Sequence, residues 1–150
     1  MSNRLFAAYG VGLNRIEMAK HCPTAKLLGM SELKNYKIAF RGGNASAVAT
    51  IKKAKGCSVP ALLWEISTQD KTALDRWIGM PDLYRQITAK VRLNGAAMDA
   101  YAYILIGNKP HNRPSAFYYS TLLEGYRAAG FDAEILKAAI QDGDLDASSA

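Results

Sequence analysis

Asn94-Gly95 sits between two extended-looking runs, Tyr84–Leu93 and Ala97–Ile106. Asn and Gly tolerate the positive φ angles that a two-residue hairpin turn demands, so the two runs are expected to fold back on each other as antiparallel strands. In the return run Met98, Ala100, Ala102, Ile104 and Ile106 alternate onto one face. Further strand-like segments lie at Leu5–Tyr9, Ala25–Gly29, Leu33–Phe40, Ala47–Ile51 and Val59–Ile66, with turns expected at Arg41–Asn44 and at the basic stretch Lys52–Gly56. Helices are expected from Arg15 to Lys20 behind an Asn14 N-cap with Glu17 three residues on, the capping-box spacing, and from Lys71 to about Trp77 behind Ser67–Asp70. Two more are expected from Ala116 to Ala129 behind Ser115, and from Asp132 to Ile140 after a Gly130 stop. Many short strands among these helices predict an α/β fold whose sheet is closed or strongly curved rather than open and doubly wound.

The chain of 150 residues is the size of one domain and buries a core without staples. The expected division is a single domain over 1–140 and an acidic, flexible tail over 141–150. No apolar run reaches the length of a membrane span, and Met1–Gly10 lacks a signal-peptide layout, so the expected compartment is the cytoplasm. Cys22 and Cys57 read as buried free thiols, and with His21 and His111 they lack metal-site spacing, so no metal is expected. The net charge of +6 is uneven: residues 1–60 carry ten Lys or Arg against Glu17 and Glu32. That excess favours a small anionic partner. The basic residues are interspersed and no nucleic-acid motif accompanies them, so neither nucleic acid nor a membrane is expected as partner. Oligomeric state stays open, a homo-oligomer included.

Chemistry points to Tyr9-Gly10-Val11-Gly12-Leu13-Asn14, a glycine-containing loop between a strand and a helix. Glycines let backbone N–H groups converge, and a following helix end adds partial positive charge, which together suit a carboxylate or phosphate. The loop resembles the Y-G-S-N-L motif of the γ-glutamylcyclotransferase-like (AIG2-like) proteins. Val59-Pro60-Ala61-Leu62-Leu63-Trp64-Glu65-Ile66 resembles the family's V-x-G-x-L-W-E-I, and Ala73-Leu74-Asp75-Arg76-Trp77-Ile78-Gly79-Met80-Pro81 its A-L-D-x-x-E-G-x-P. Pro114-Ser115 with Tyr118 matches P-S-x-x-Y, and Leu123-Glu124-Gly125-Tyr126 the next helix, so the resemblance covers about residues 5–131.

The resemblance implies a small mixed β-barrel with peripheral helices and a pocket that works without metal or cofactor. In family enzymes the loop holds the carboxylate of a γ-glutamyl group, and the glutamate of the E-G pair moves protons while 5-oxoproline forms. This chain departs where that chemistry sits: Val11 stands at the loop serine, Gly12 at the loop asparagine and Ile78 at the glutamate. Isoleucine moves no proton, and general acid–base help is worth about 10²–10⁴ in rate. The expected ligand-binding residues are Tyr9, Gly10, Val11, Gly12, Leu13, Trp77, Ile78 and Tyr118, with no catalytic residue assigned. Trp77 reads equally as a stacking surface or as core packing. The expected function is binding of a small anionic molecule without catalysis, a nucleotide-derived signal being one such ligand, in a sensor or a sequestering protein such as a phage anti-defence sponge. The alternative is a γ-glutamyl or γ-glutamylamine cyclotransferase with a relocated acid, for which Glu65 is the nearest substitute although it also reads as an ordinary strand glutamate.

Overall fold

In the computed structural model, which describes residues 4–43 and 45–149, the chain runs β1 (Arg4–Ala8), α1 (Arg15–His21), β2 (Lys26–Arg41), β3 (Val48–Ile66), α2 (Thr68–Ile78), β4 (Tyr84–Leu93), β5 (Ala96–Leu105), α3 (Ala116–Ala129) and α4 (Glu134–Ser149). Asn44, the end of the expected Arg41–Asn44 turn, lies outside the described residues. The α/β class is as expected. The hairpin forms where Asn94 and Gly95 take φ of 53° and 83°, with β4 and β5 antiparallel in unbroken register from Tyr84–Leu105 to Leu93–Ala96.

One mixed sheet of five strands carries the fold, in the order β2-β3-β1-β5-β4. The first strand occupies its centre: β1 runs antiparallel to β3 and parallel to β5, with Phe6 opposite Tyr101. The expected barrel does not close. The edge strands β2 and β4 curl toward each other, but where they meet the Arg92 N–H donates to the Ser31 side-chain Oγ (3.2 Å) instead of to a strand carbonyl. A sheet with that junction is strongly curved and keeps two edges.

The two strands expected at Ala25–Gly29 and Leu33–Phe40 are one, β2, and its partner β3 is likewise continuous. Register shifts between Leu27 and Gly29 and between Lys34 and Tyr36 explain why period-two patterning breaks there. At the second shift Asn35, with φ 66°, accepts from the Gly56 N–H (3.1 Å), so the expected basic turn is an irregularity inside β3. It leaves Cys57 exposed, contrary to the expected burial, while Cys22 is buried.

Burial explains β1 and β5. Phe6, Ala7 and Ala8 are all buried, as are Ala100, Tyr101, Ala102 and Tyr103, so both faces are covered along these stretches, whereas Ala96–Asp99 at the start of β5 are exposed on both faces. The helices end on readable signals. Ser67 Oγ accepts from Asp70 N–H (3.1 Å), and Gly79 in the left-handed region returns its N–H to Asp75 O (3.0 Å), which ends α2 at Ile78. The last helix runs on past Ile140 and packs against β2, where Asp142 lies 3.7 Å from Lys37. Among the described residues no helix is long and apolar enough to cross a membrane.

Candidate functional site

The chain leaves β1 at Ala8 and turns through Gly10 and Gly12 into α1. Gly12 has φ +96°, and a Cβ there would stand 2.9 Å from both Ala8 Cβ and Phe6 Cε2, so only glycine fits. The turn closes on itself through Leu13 N–H to Gly10 O (3.1 Å). The Trp64 indole N–H then pins it to β3 by donating to Gly12 O (2.9 Å). From the other side α3 packs directly on the loop backbone, because Gly125 has no side chain: a Cβ would lie 2.8 Å from Leu13 C.

Asn14 joins these parts. Its Oδ1 accepts from the Ile16 and Glu17 N–H groups (3.1 and 3.2 Å), and its Nδ2 donates to Thr121 O and Glu124 Oε1 (3.2 Å each). Three of the expected anion donors are engaged inside the fold: the Ile16 and Glu17 N–H groups at the α1 end are capped by Asn14, and the Leu13 N–H is used within the turn. Glu17, expected to complete a capping box, instead directs its carboxylate to Lys20 Nζ at 3.5 Å.

Two compartments open beneath the loop, and Gly10 and Val11 line both. The inner one measures about 20 Å³, room for a water and no ligand group. Ile78, 6% exposed, lines it together with Tyr9, Tyr84 and Tyr103. These phenols are tied back: Tyr9 OH donates to Tyr103 O (2.5 Å), Tyr84 OH to Ala49 O (2.8 Å), and Tyr103 OH to Asp75 Oδ1. Burial, reinforced by the neighbouring Tyr118 phenol, raises Tyr9 and Tyr84 far above the ordinary phenol range, so neither serves as a base near neutral pH. The outer compartment measures about 180 Å³ and takes in Gly12, Trp77, Phe117, Tyr118, Glu17 and Thr121. Tyr118 is held by Ala49 N–H donating to its oxygen (3.0 Å), and burial raises it as well.

Of the residues expected at the site, Gly10, Val11, Gly12, Trp77 and Tyr118 line the outer space, and Tyr9 and Ile78 line the inner one. Leu13 is buried and lines neither. Glu65 stands in the ladder between Leu5 of β1 and Lys26 of β2, on the face opposite Trp64, and lines neither compartment. Sequence reasoning missed Asn14 and Glu17 as site residues because both carry a sufficient capping explanation. It missed Phe117 although it sits beside Tyr118; an exposed aromatic at a helix start is the signal that was available. Among the described residues no cluster of His, Cys, Asp and Glu is placed to hold a metal ion.

A model of the AIG2-like family matches residues 58–138. A structure described as a gamma-glutamyl cyclotransferase superposes with TM-score 0.80 at 22% identity, covering 91% of this chain and 86% of that one. An uncharacterized protein from Homo sapiens gives 0.80 at 22% identity, over 93% and 87%. An AIG2-like protein from Mus musculus gives 0.61 at 17% identity, over 73% and 82%. At these identities the structures show the shared fold. No curated protein matches the chain by sequence.

Proposed function

Because the chain belongs to the AIG2-like family, we propose that it binds a small molecule in a cyclotransferase-type pocket and performs no cyclisation from position 78. The observation that carries this reading is Ile78 itself: it closes the inner compartment with an apolar, buried side chain, beside phenols whose protons are held. Without an acid or base there, the proton steps of a cyclotransferase lose a contribution of about 10²–10⁴. The ligand body sits in the outer compartment against Trp77, Phe117 and Tyr118. Stacking and apolar contact, rather than a phosphate cradle, are what such a lining provides. The capped α1 end, and a lining without Lys or Arg among the described residues, weigh against the anionic ligand expected from net charge.

A second reading, residual cyclotransferase activity with a relocated acid, is supported by Glu17 rather than Glu65, since Glu17 is the carboxylate that lines the outer compartment. One experiment separates them. The native protein is incubated with γ-glutamyl dipeptides and γ-glutamylamines and assayed for 5-oxoproline, alongside Glu17→Gln. The first reading expects no release from the native protein, and a thermal-shift panel of small molecules that finds a ligand. Release by the native protein that disappears in Glu17→Gln establishes the second.

A further inference from the structure

We infer that the outer compartment is a cage for an organic cation, so that the ligand of the proposed pocket presents an alkylammonium group there. This rests on the pocket reading above and adds the charge and chemistry of what it holds. Three aromatic side chains, Trp77, Phe117 and Tyr118, share this space of about 180 Å³ with Glu17, the one charged residue of its lining among the described residues. An ammonium group is attracted to the faces of aromatic rings, Trp most of all, and a nearby carboxylate adds to that attraction.

The surroundings are arranged consistently with this. Phe117 lines the cavity and is 79% exposed, so most of its ring is not taken up by packing. The Trp77 indole is covered on one face by His21 (ring centroids 3.9 Å apart, 10° between planes), which fixes it beside the cavity. Tyr118 has its oxygen engaged by Ala49 N–H, which holds its ring in place. Asn14, also in the lining, uses its side chain on Thr121, Glu124, Ile16 and Glu17 and so orders the wall without competing for the ligand. Glu124 places a second carboxylate one residue behind that wall. One group acts against the cation: Lys20 Nζ lies 3.5 Å from Glu17 Oε2, though the Lys20 side chain is 63% exposed. Lys20 is thus an internal competitor for the Glu17 carboxylate.

The test compares choline with its neutral carbon isostere, 3,3-dimethylbutan-1-ol, by calorimetric titration of the whole chain. Choline is expected to bind about tenfold tighter than the isostere. Glu17→Gln and Phe117→Leu are both expected to weaken choline several-fold and to shrink its lead over the isostere, whereas Lys20→Ala strengthens choline by releasing Glu17. Phe117 and Lys20 are exposed, so these two variants do not depend on refolding a core. Equal binding of the two probes, or a Glu17→Gln variant that keeps the native preference, overturns the cage and leaves the pocket standing. Binding of neither probe at millimolar concentration also overturns the cage, while the small-molecule panel judges the pocket separately.

Discussion

Replacing Asn14 by alanine removes four hydrogen bonds at the point where α1, the glycine loop and α3 meet. Loss of the N-cap costs about 1 kcal/mol. Loss of the bridge to Thr121 O and Glu124 adds about 1 kcal/mol, since Glu124 regains some water. The sum, about 2 kcal/mol, lowers the melting temperature by roughly 4–8 °C for a domain of this size. Asn14→Asp separates the two parts. An aspartate caps α1 as well as asparagine does, but it donates nothing to Thr121 O and sets a carboxylate beside Glu124. Like charges raise the folded-state pKa of the acid pair above the unfolded value of about 4, so the penalty is absent below about pH 4 and grows as pH rises toward 7. Adding Glu124→Gln to that variant puts an amide donor opposite the new carboxylate, and the pair is expected to recover about 1 kcal/mol at pH 7 in a double-mutant cycle. Urea denaturation followed by circular dichroism at about pH 4 and about pH 7 measures all of this. A loss in Asn14→Asp that is the same at both pH values, or a double variant no more stable than the single one, refutes the bridging role.

Gly125→Ala, favourable by about 1 kcal/mol in an ordinary helix interior, is expected to destabilise by about 1–2 kcal/mol here, because its Cβ meets the Leu13 backbone at 2.8 Å; a higher melting temperature contradicts that packing. Ile78→Glu trades a buried apolar side chain for an acid whose folded-state pKa is raised by burial, so its cost, about 3 kcal/mol near neutral pH, is expected to lessen as pH falls toward the unfolded value of about 4.3. Denaturation curves with no such pH dependence show that water reaches position 78. The Cys22 thiol is pushed up to about 11, first by burial and then by the Asp70 carboxylate, whereas Cys57 is exposed. A thiol-reactive dye at about pH 8 is therefore expected to label Cys57 promptly and Cys22 only in denaturant, and fast labelling of both contradicts the burial.

Signals that act within a few residues are legible in this sequence. Asn14, Ser67 and Ser115 cap the helices expected of them, Gly130 ends α3, and Asn94-Gly95 makes the hairpin, because each depends on local dihedrals and local donors. What depends on distant chain is less legible. The continuity of β2 and β3 through their register shifts is imposed by pairing across the hairpin, and local pattern at Asn35 and Gly56 argues for a break. The site follows the same division. The loop, Trp77, Ile78 and Tyr118 carry motif or position, whereas Glu17 and Phe117 join the site through the way α1 and α3 converge on the cavity. Asn14 and Gly125, each with a sufficient local role as cap or helix glycine, owe their second role to the contact between the loop and α3.

The place of β1 bears on how the protein comes into being. The first strand of the domain to leave a ribosome is the one that ends in the middle of the sheet, and its flanking strands β3 and β5 arrive much later. Until then Phe6, Ala7 and Ala8 have no lasting cover, and the parallel Phe6–Tyr101 pairing must bridge most of the domain before it returns any stability. The glycine loop follows β1 directly and leans on Gly125 of α3, so the pocket is among the last features to assemble. A nascent chain stopped before β5 has an apolar first strand in need of shelter and lacks the α3 wall of the cavity, so the proposed pocket exists only once α3 has been made.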